Sequence, residues 1–497
     1  MNFPLDRYPG MNRFVLDWMH GDERFLTRGA ASNVPARRLP TAALVDALKS
    51  SNRHWGIFPD LDAWSRGETF TIVAGQQVGF AGGPLYTIAK LASLVKMKRA
   101  FGKPATLFFW LATEDHDFDE VSTLNVPVSA LSHEKDVNRQ LDLVCMRAVA
   151  GAQSNGRRIV GPQPLPETLI TQLLALLDIP RPSWLREGIS FRDSFAELIA
   201  SIFGNEIVLV DALLPELRRA GAPLFEQIHA KQHEIQTALS RRADQLEAAG
   251  YQEQVVPRED SEYTLLFHLD EQGERKPATG NQRPEDTSTS ALTRPLLQDF
   301  VLQPDVFVGG PAEVAYYAQL APLHDLLGVR MPQVALRGHA LVAPRHITRA
   351  IQRYAIDPAE IFRSTDEILA EREPEAVARI RAIAQEGHRE LLGHIEQISE
   401  LALPADHSLA GSIQRSIGHL EYHFAKLAER AIKGLVRKDR ERHQAVRALV
   451  ATFYPDRHVQ DRVVSWFPYW SMYGNALVER IVDEIEPNAP VVSVVEL

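Results

Sequence analysis

Glu114, Asp115, His116 and Asp117 stand consecutively in this chain, directly after an apolar run. Three carboxylates around one imidazole must be separated or neutralised, and such crowding raises a carboxylate pKa and favours a protonated histidine. General acid–base chemistry is the natural use, which makes these four the candidate catalytic residues. A metal centre is set aside, because hard oxygen ligands at consecutive positions rarely all converge on one ion. A helix N-cap cluster is the structural alternative. Earlier in the chain, Gly75-Gln76-Gln77 and Gly82-Gly83-Pro84 form a glycine-rich turn before a helical stretch. Backbone N–H groups in such a turn, with the partial positive charge of the helix start, suit a carboxylate or a phosphate. The spacing matches neither GxGxxG nor GxxxxGK[ST], so the dinucleotide fingerprint and the P-loop are both absent. Gln76 and Gln77 carry amides that need partners beside an apolar strand end, and Tyr86 and Lys90 lie four apart on the following helix. Gly309-Gly310-Pro311 with Glu313 and Tyr316 repeats the strand-to-loop pattern. In both places an ordinary tight turn is the structural alternative.

The elements around these residues decide whether they meet. Residues 70–74 are a short β-branched run, the helical stretch covers 85–99, and residues 105–112 are continuously apolar, as in a parallel strand covered on both faces. Residues 207–210 and 305–308 are further buried-type strands, and 332–337 is another candidate. Helices are expected at 314–327, over 166–203, and after Asp211 through 249. Residues 263–267 read as a hairpin strand, and the polar, turn-rich stretch 277–289 as a loop or mobile lid. Near the start, apolar spacing predicts short helices at 12–26 and at 41–50, the latter capped by Thr41. Repeated strand–loop–helix units predict an α/β fold, a Rossmann-like doubly wound and mostly parallel sheet.

After residue 366 the pattern changes. Apolar or small residues recur at Val377, Ile380, Ala384, Leu391, Ile395 and Ile398, then at Ile413, Ile417, Leu420, Phe424, Leu427, Ala431 and Leu435. Spacings of three and four are the seam of a coiled coil, and the break at 403–406 makes it an antiparallel hairpin. A second helix running to residue 450 would be roughly 55 Å long, which suggests a protruding arm that binds a partner or a second copy. Residues 451–497 hold Trp466, Phe467, Tyr469, Trp470 and Tyr473, enough aromatic surface to require burial against the α/β core. The expected organisation is therefore a core at 1–365 with insertions at about 125–205 and 250–300, a helical coiled-coil domain at 366–450, and a returning segment at 451–497.

Composition narrows the function. Of 497 residues, 54 are Lys or Arg and 64 are Asp or Glu, giving a net charge of −10, with 45% hydrophobic residues. That balance argues against a general nucleic-acid binder and against a disordered chain. No apolar run approaches the length of a membrane span, and the charged start does not read as a signal peptide. The one cysteine, Cys145, excludes an intrachain disulfide and a cysteine zinc site, and reads as packing rather than as a nucleophile. A cytoplasmic protein fits these features. Lys96-Met97-Lys98-Arg99 falls within the first predicted helix, too early to serve as a synthetase lysine loop. His339 and His346 read as satisfied polar residues.

Several motifs, taken together and in order, resemble the BshC family of bacillithiol biosynthesis. They are Asn12 to Asp17, Gly75-Gln76-Gln77, Gly82 to Thr87, Phe109-Trp110, Glu114 to Asp117, Leu292 to Pro295 with Gln298-Asp299, Val308 to Tyr316, Gln460-Asp461-Arg462 and Tyr473-Gly474. The resemblance implies a Rossmann-type core related to class I synthetases and nucleotidyltransferases, with connecting-peptide insertions and a coiled-coil domain that forms a homodimer. It implies a ligase that adds cysteine to glucosaminyl-malate. Neither a HIGH nor a KMSKS-like signature is present, so ATP with Mg²⁺ is carried as a candidate cofactor by analogy of fold alone.

On that reading the 75–90 loop cradles an anion in activating the cysteine carboxylate as an adenylate or acyl phosphate. His116 or a neighbouring carboxylate takes the proton of the attacking ammonium, and Glu114 and Asp117 orient His116 or hold Mg²⁺. Arg294 and Arg337 pair with the malyl carboxylates, for which a guanidinium fork is matched. Two other classes stay open: a nucleotidyl- or glycosyltransferase on the same sheet, and a non-catalytic dimeric scaffold whose hairpin recruits partners.

Overall fold

The structure is a computed structural model and describes residues 1–28, 37–127, 143–147, 158–252, 254, 265–372, 374–436 and 440–497. Two compact units are present, Met1–Ala343 with His458–Leu497, and Pro344–Arg457. The sequence places the corresponding boundaries at 365 and 450.

The first unit is built on β1 (Phe70–Gln76), α1 (Leu85–Phe101), β2 (Ala105–Leu111), α2 (Phe191–Phe203), β3 (Ile207–Asp211), α3 (Pro215–Ala230), α4 (Arg294–Leu302), β4 (Val306–Gly309), α5 (Pro311–Leu327) and β5 (Gln333–Leu336). All five strands are parallel and lie in the order β5-β4-β1-β2-β3. The chain begins in the middle of this sheet, moves outward through β2 and β3, and then crosses back to β4 on the other side of β1. The reversal between β1 and β4 is the topological switch point, where a doubly wound sheet opens a crevice beyond its strand ends.

The strands form where they do because both faces are covered. Ile72, Ala74, Leu107, Phe109, Leu111 and Leu209 are buried in one apolar cluster, and Val73, Phe108, Trp110, Val208 and Val210 in another. Alternate residues thus feed opposite layers, which is why the sequence runs continuously apolar through β2. The predicted helix starts are present with their caps. Asn12 accepts a hydrogen bond from the Phe14 N–H ahead of helix Arg13–Met19, and Thr41 accepts one from Leu44 ahead of Ala42–His54. Phe14, Val15, Trp18 and Met19 are all buried.

Residues 277–289 differ from the expected loop. Thr287–Thr289 is a strand that pairs antiparallel with Leu266–Leu269, which also pairs with Arg275–Pro277. Its three polar side chains are buried because they have hydrogen-bonding work to do against the sheet end. The Tyr263 and Thr264 end of the predicted hairpin strand lies outside the described residues.

The returning segment closes the first unit. Val491–Glu496 pairs parallel with His339–Ala343 and antiparallel with Asn2–Pro4. Trp466, Phe467 and Tyr469 are buried in the same cluster as the sheet core. Trp466 Nε1 donates to the Gly82 carbonyl at 3.1 Å, so the loop after β1 is fastened to the chain's last forty residues. Gly82 has φ +83°, and a Cβ there would meet the indole at 2.4 Å.

The second unit holds α6 (Pro374–Ala402), α7 (Ala410–Val436) and α8 (Arg440–Phe453). His388 meets Glu421 at 3.1 Å, and the space beside Gly387 is filled by the Phe424 ring, so α6 and α7 run antiparallel. The single long second helix expected from sequence is crossed at 437–439 by residues outside those described.

Candidate active site

One cavity of about 870 Å³ opens at the switch point. Its wall includes Gln76, Gln77, Tyr86, Lys90, Glu114, Asp115, His116, Arg294, Gly310, Glu313, Tyr316 and Arg337. The glutamine-bearing turn, the acid–imidazole run and the second glycine turn therefore share one space at one rim of the sheet. Asp117, Gly83 and Gly309 do not line it. Asp117 accepts from the Glu120 N–H and caps the short helix Phe118–Ser122, the N-cap alternative realised at one residue. Gly83 turns the loop with φ +71°. Gly309 ends β4, where a Cβ would meet the Phe307 ring at 2.8 Å and the Glu313 Cβ at 3.0 Å.

Lys90 joins the two crossovers. From α1 its ammonium donates to the Gly75 carbonyl and to Gln76 Oε1, each at 2.8 Å, and sits 2.6 Å from Glu313 Oε2 on α5. The same Glu313 oxygen accepts from the Gly310 N–H at 2.8 Å. Burial pulls the Lys90 pKa down, partly offset by Glu313. Burial pushes Glu313 up, but the charge and hydrogen bond of Lys90 outweigh it and hold the carboxylate below its usual range. Gln76 then passes its amide N–H to the Tyr86 hydroxyl at 3.3 Å. Each buried polar group here answers another, which is why two glutamines can end an apolar strand.

The acid–imidazole run divides its work. Glu114 is buried and paired to Arg218 of α3 at 3.1 Å. It also accepts from the Ser288 hydroxyl at 2.8 Å and from the Thr289 hydroxyl at 2.6 Å. Those partners occupy both carboxylate oxygens, so Glu114 fixes the wall and does not reach His116 as expected. Asp115 accepts from Gln77 Nε2 at 2.7 Å and from the His116 N–H at 2.7 Å. His116 is exposed at the mouth, with Nδ1 3.3 Å from Arg275 Nη1 and 3.5 Å from Asp115 Oδ1. A guanidinium can only donate, so Arg275 meets Nδ1 when that nitrogen is bare, and Asp115 meets it when it carries the proton.

The cationic side contains more arginines than expected. Arg337 is buried, donating to the Gly338 carbonyl at 3.0 Å and to Asp461 at 2.9 Å, so its fork is already filled. Asp461 also accepts from the Tyr8 hydroxyl, and His339 lies 3.8 Å away. Burial works against the Asp461 charge, but Arg337 prevails and its pKa falls to about 2. Burial and Arg337 together pull His339 down to about 4, keeping it neutral. Arg294 and Arg462 line the same cavity, and among the described residues neither guanidinium has a hydrogen-bond or ion-pair partner. Arg275 lies over the Phe267 ring at 4.2 Å. These groups give an anionic ligand two open forks, with Lys90 and Arg337 behind them already neutralised.

Glu120, Arg275, Thr289 and Arg462 line the cavity without having been singled out from sequence. The available signals were the adjacency of Glu120 to the acidic run and the place of Arg462 in the Gln460-Asp461-Arg462 motif, to which no role was attached. Among the described residues no group of three His, Cys, Asp or Glu side chains is placed to hold a metal ion.

Comparison with known proteins agrees with this architecture. Residues 19–281 and 277–338 match the model of the bacillithiol biosynthesis BshC N-terminal Rossmann-like domain, and 340–497 that of the BshC C-terminal coiled-coil domain. Relatives named "Putative cysteine ligase BshC" include those of Solibacter usitatus, 31% identical over 91% of this chain and 88% of the relative, and Koribacter versatilis, 30% identical over 88% and 86%. The protein of that name from Symbiobacterium thermophilum is 30% identical over 95% and 92%.

Proposed function

This chain belongs to the bacillithiol-biosynthesis BshC family, and on that premise we propose that it is a ligase joining cysteine to the amine of glucosaminyl-malate through an amide bond. The observation that carries the reading is the pair of open guanidiniums, Arg294 and Arg462, in a cavity at the sheet's switch point. Two open forks suit the two carboxylates of a malyl group. A volume of about 870 Å³ lies toward the upper end of small-molecule sites and gives room for two reactants together.

Amide formation from a carboxylate needs activation of that carboxylate, which is the chemistry ATP would supply when bound. The first turn of α5, where Pro311 and Ala312 line the cavity, is the element suited to its phosphates. Any Mg²⁺ would accompany those phosphates. The chain's own residues bind and orient: Lys90 and Glu313 hold the two turns, Glu114 and Arg218 hold the opposite wall, and Arg294 and Arg462 draw in the acidic substrate.

The test is product formation by purified protein from cysteine and glucosaminyl-malate, with and without ATP. A cysteinyl amide that appears only with ATP is expected. A folded enzyme that makes no amide under any condition would refute the reading, and turnover of a sugar nucleotide without cysteine would favour a transferase.

Two further parts of the proposal are a cytoplasmic location, which a single exposed cysteine suits, and a homodimer through the coiled coil. Leu401 and Leu427, on α6 and α7, are 83% and 64% exposed, and a second copy would cover them. Sedimentation as a monomer at micromolar concentration would contradict the dimer.

A further inference from the structure

Four carboxylates line the cavity, and three of them are already engaged. Glu114 is paired with Arg218, Glu313 with Lys90, and Asp115 accepts from Gln77 and from two backbone N–H groups of its own turn. The fourth is Glu120, on the short helix Phe118–Ser122; Gln77 is its hydrogen-bonding neighbour as well as that of Asp115, and among the described residues no cation pairs with it. His116 stands at the mouth, with Nδ1 between Arg275 and Asp115.

We propose that Glu120 is the catalytic base that takes the proton of the substrate ammonium, an assignment that rests on the ligase reading above. The step is a transfer from –NH₃⁺ to the Glu120 carboxylate, leaving a neutral amine and a carboxylic acid. The nitrogen lone pair then forms the C–N bond at the carboxyl carbon of a cysteine activated as a mixed anhydride with phosphate. The bond from that carbon to the leaving oxygen breaks with its electron pair on the oxygen, and the surplus proton on nitrogen passes to the departing group or to water.

The surroundings suit the task. Asp115 and Asp117 face Glu120 from its own loop, Gln77 from the turn after β1, and Tyr86 and Lys90 from α1. Burial raises the Glu120 pKa, and the two aspartates add to the rise against the pull of Gln77 and Lys90. A base whose pKa is moved toward neutrality accepts a proton more readily than an ordinary glutamate does.

The experiment follows amide formation across a pH series for the full-length enzyme, Glu120→Gln and Glu120→Asp. It also follows cysteine transfer to hydroxylamine, a nucleophile that is already neutral near pH 7. Glu120→Gln is expected to lose about 100-fold or more in transfer to glucosaminyl-malate at neutral pH. Its rate should recover as rising pH deprotonates the amine, transfer to hydroxylamine should persist, and Glu120→Asp should restore part of the activity. Wild-type rates and pH profile in Glu120→Gln would overturn the assignment while leaving the ligase reading intact. Equal loss toward both nucleophiles would also overturn it, as a structural effect. If the wild-type enzyme makes no amide, the ligase reading falls and the role of Glu120 falls with it.

Discussion

Arg337, which lines the cavity, and Asp461, buried behind it, are 124 residues apart in sequence and 2.9 Å apart in space, and Asp461 also accepts from the Tyr8 hydroxyl. One carboxylate therefore ties together the strand-end arginine, the returning C-terminal segment and the chain's first residues.

Removing that carboxylate strands a buried guanidinium. Asp461→Asn is expected to cost about 3–5 kcal/mol in urea unfolding. The wild-type contribution also has a pH signature. With its pKa held at about 2 in the fold, Asp461 stabilises the protein fully above the ordinary carboxylate range and loses that contribution as pH falls toward 2. Acid unfolding curves of Asp461→Asn should be flatter there than those of the wild type.

Glu114 and Arg218 make a second buried pair, and it decides whether Glu114 is structural. Arg218→Met is expected to destabilise the protein by about 3–5 kcal/mol by leaving the Glu114 charge without its cation. Adding Glu114→Gln should recover part of that loss, with a coupling of about 0.5–3 kcal/mol in a double-mutant cycle read by denaturant titration.

Arg294 is the opposite case, a guanidinium that makes no hydrogen bond or ion pair among the described residues. Arg294→Ala should leave the melting temperature unchanged and raise KM for the acidic substrate by about 10- to 150-fold, the worth of a charge-assisted contact of about 1.5–3 kcal/mol. Steady-state kinetics beside a thermal melt separate the two effects.

Gly82 holds a conformation that other residues rarely adopt, against a fixed indole. Gly82→Ala should cost about 1–3 kcal/mol for its backbone alone, with more from displacement of Trp466. Thermal unfolding together with Trp fluorescence would register both.

Much of this molecule was readable before its coordinates. The continuous apolar run at 105–111 announces a strand covered on both faces. Asn12 and Thr41 announce helix starts, and the two glycine turns mark the strand ends that meet at the switch point. What could not be read was pairing across long separations. Thr287-Ser288-Thr289 looks like loop because its residues are polar, and it becomes a buried strand because Glu114, more than 170 residues earlier, needs its hydroxyls. For the same reason Glu114 read as a residue that orients His116, since nothing in its neighbourhood announces Arg218. Arg337 read as an open fork because Asp461 is equally remote. Glu120 escaped notice because a lone glutamate gains meaning only once its neighbours have found partners.

Residues 458–497 supply Arg462 to the cavity wall, Asp461 to the Arg337 of that wall and Trp466 to the loop after β1. Residues before 343 can carry every glycine turn and the whole acid–imidazole run and still lack a finished pocket, because a guanidinium of its wall and the indole that seats its first loop come from a stretch more than a hundred residues further along.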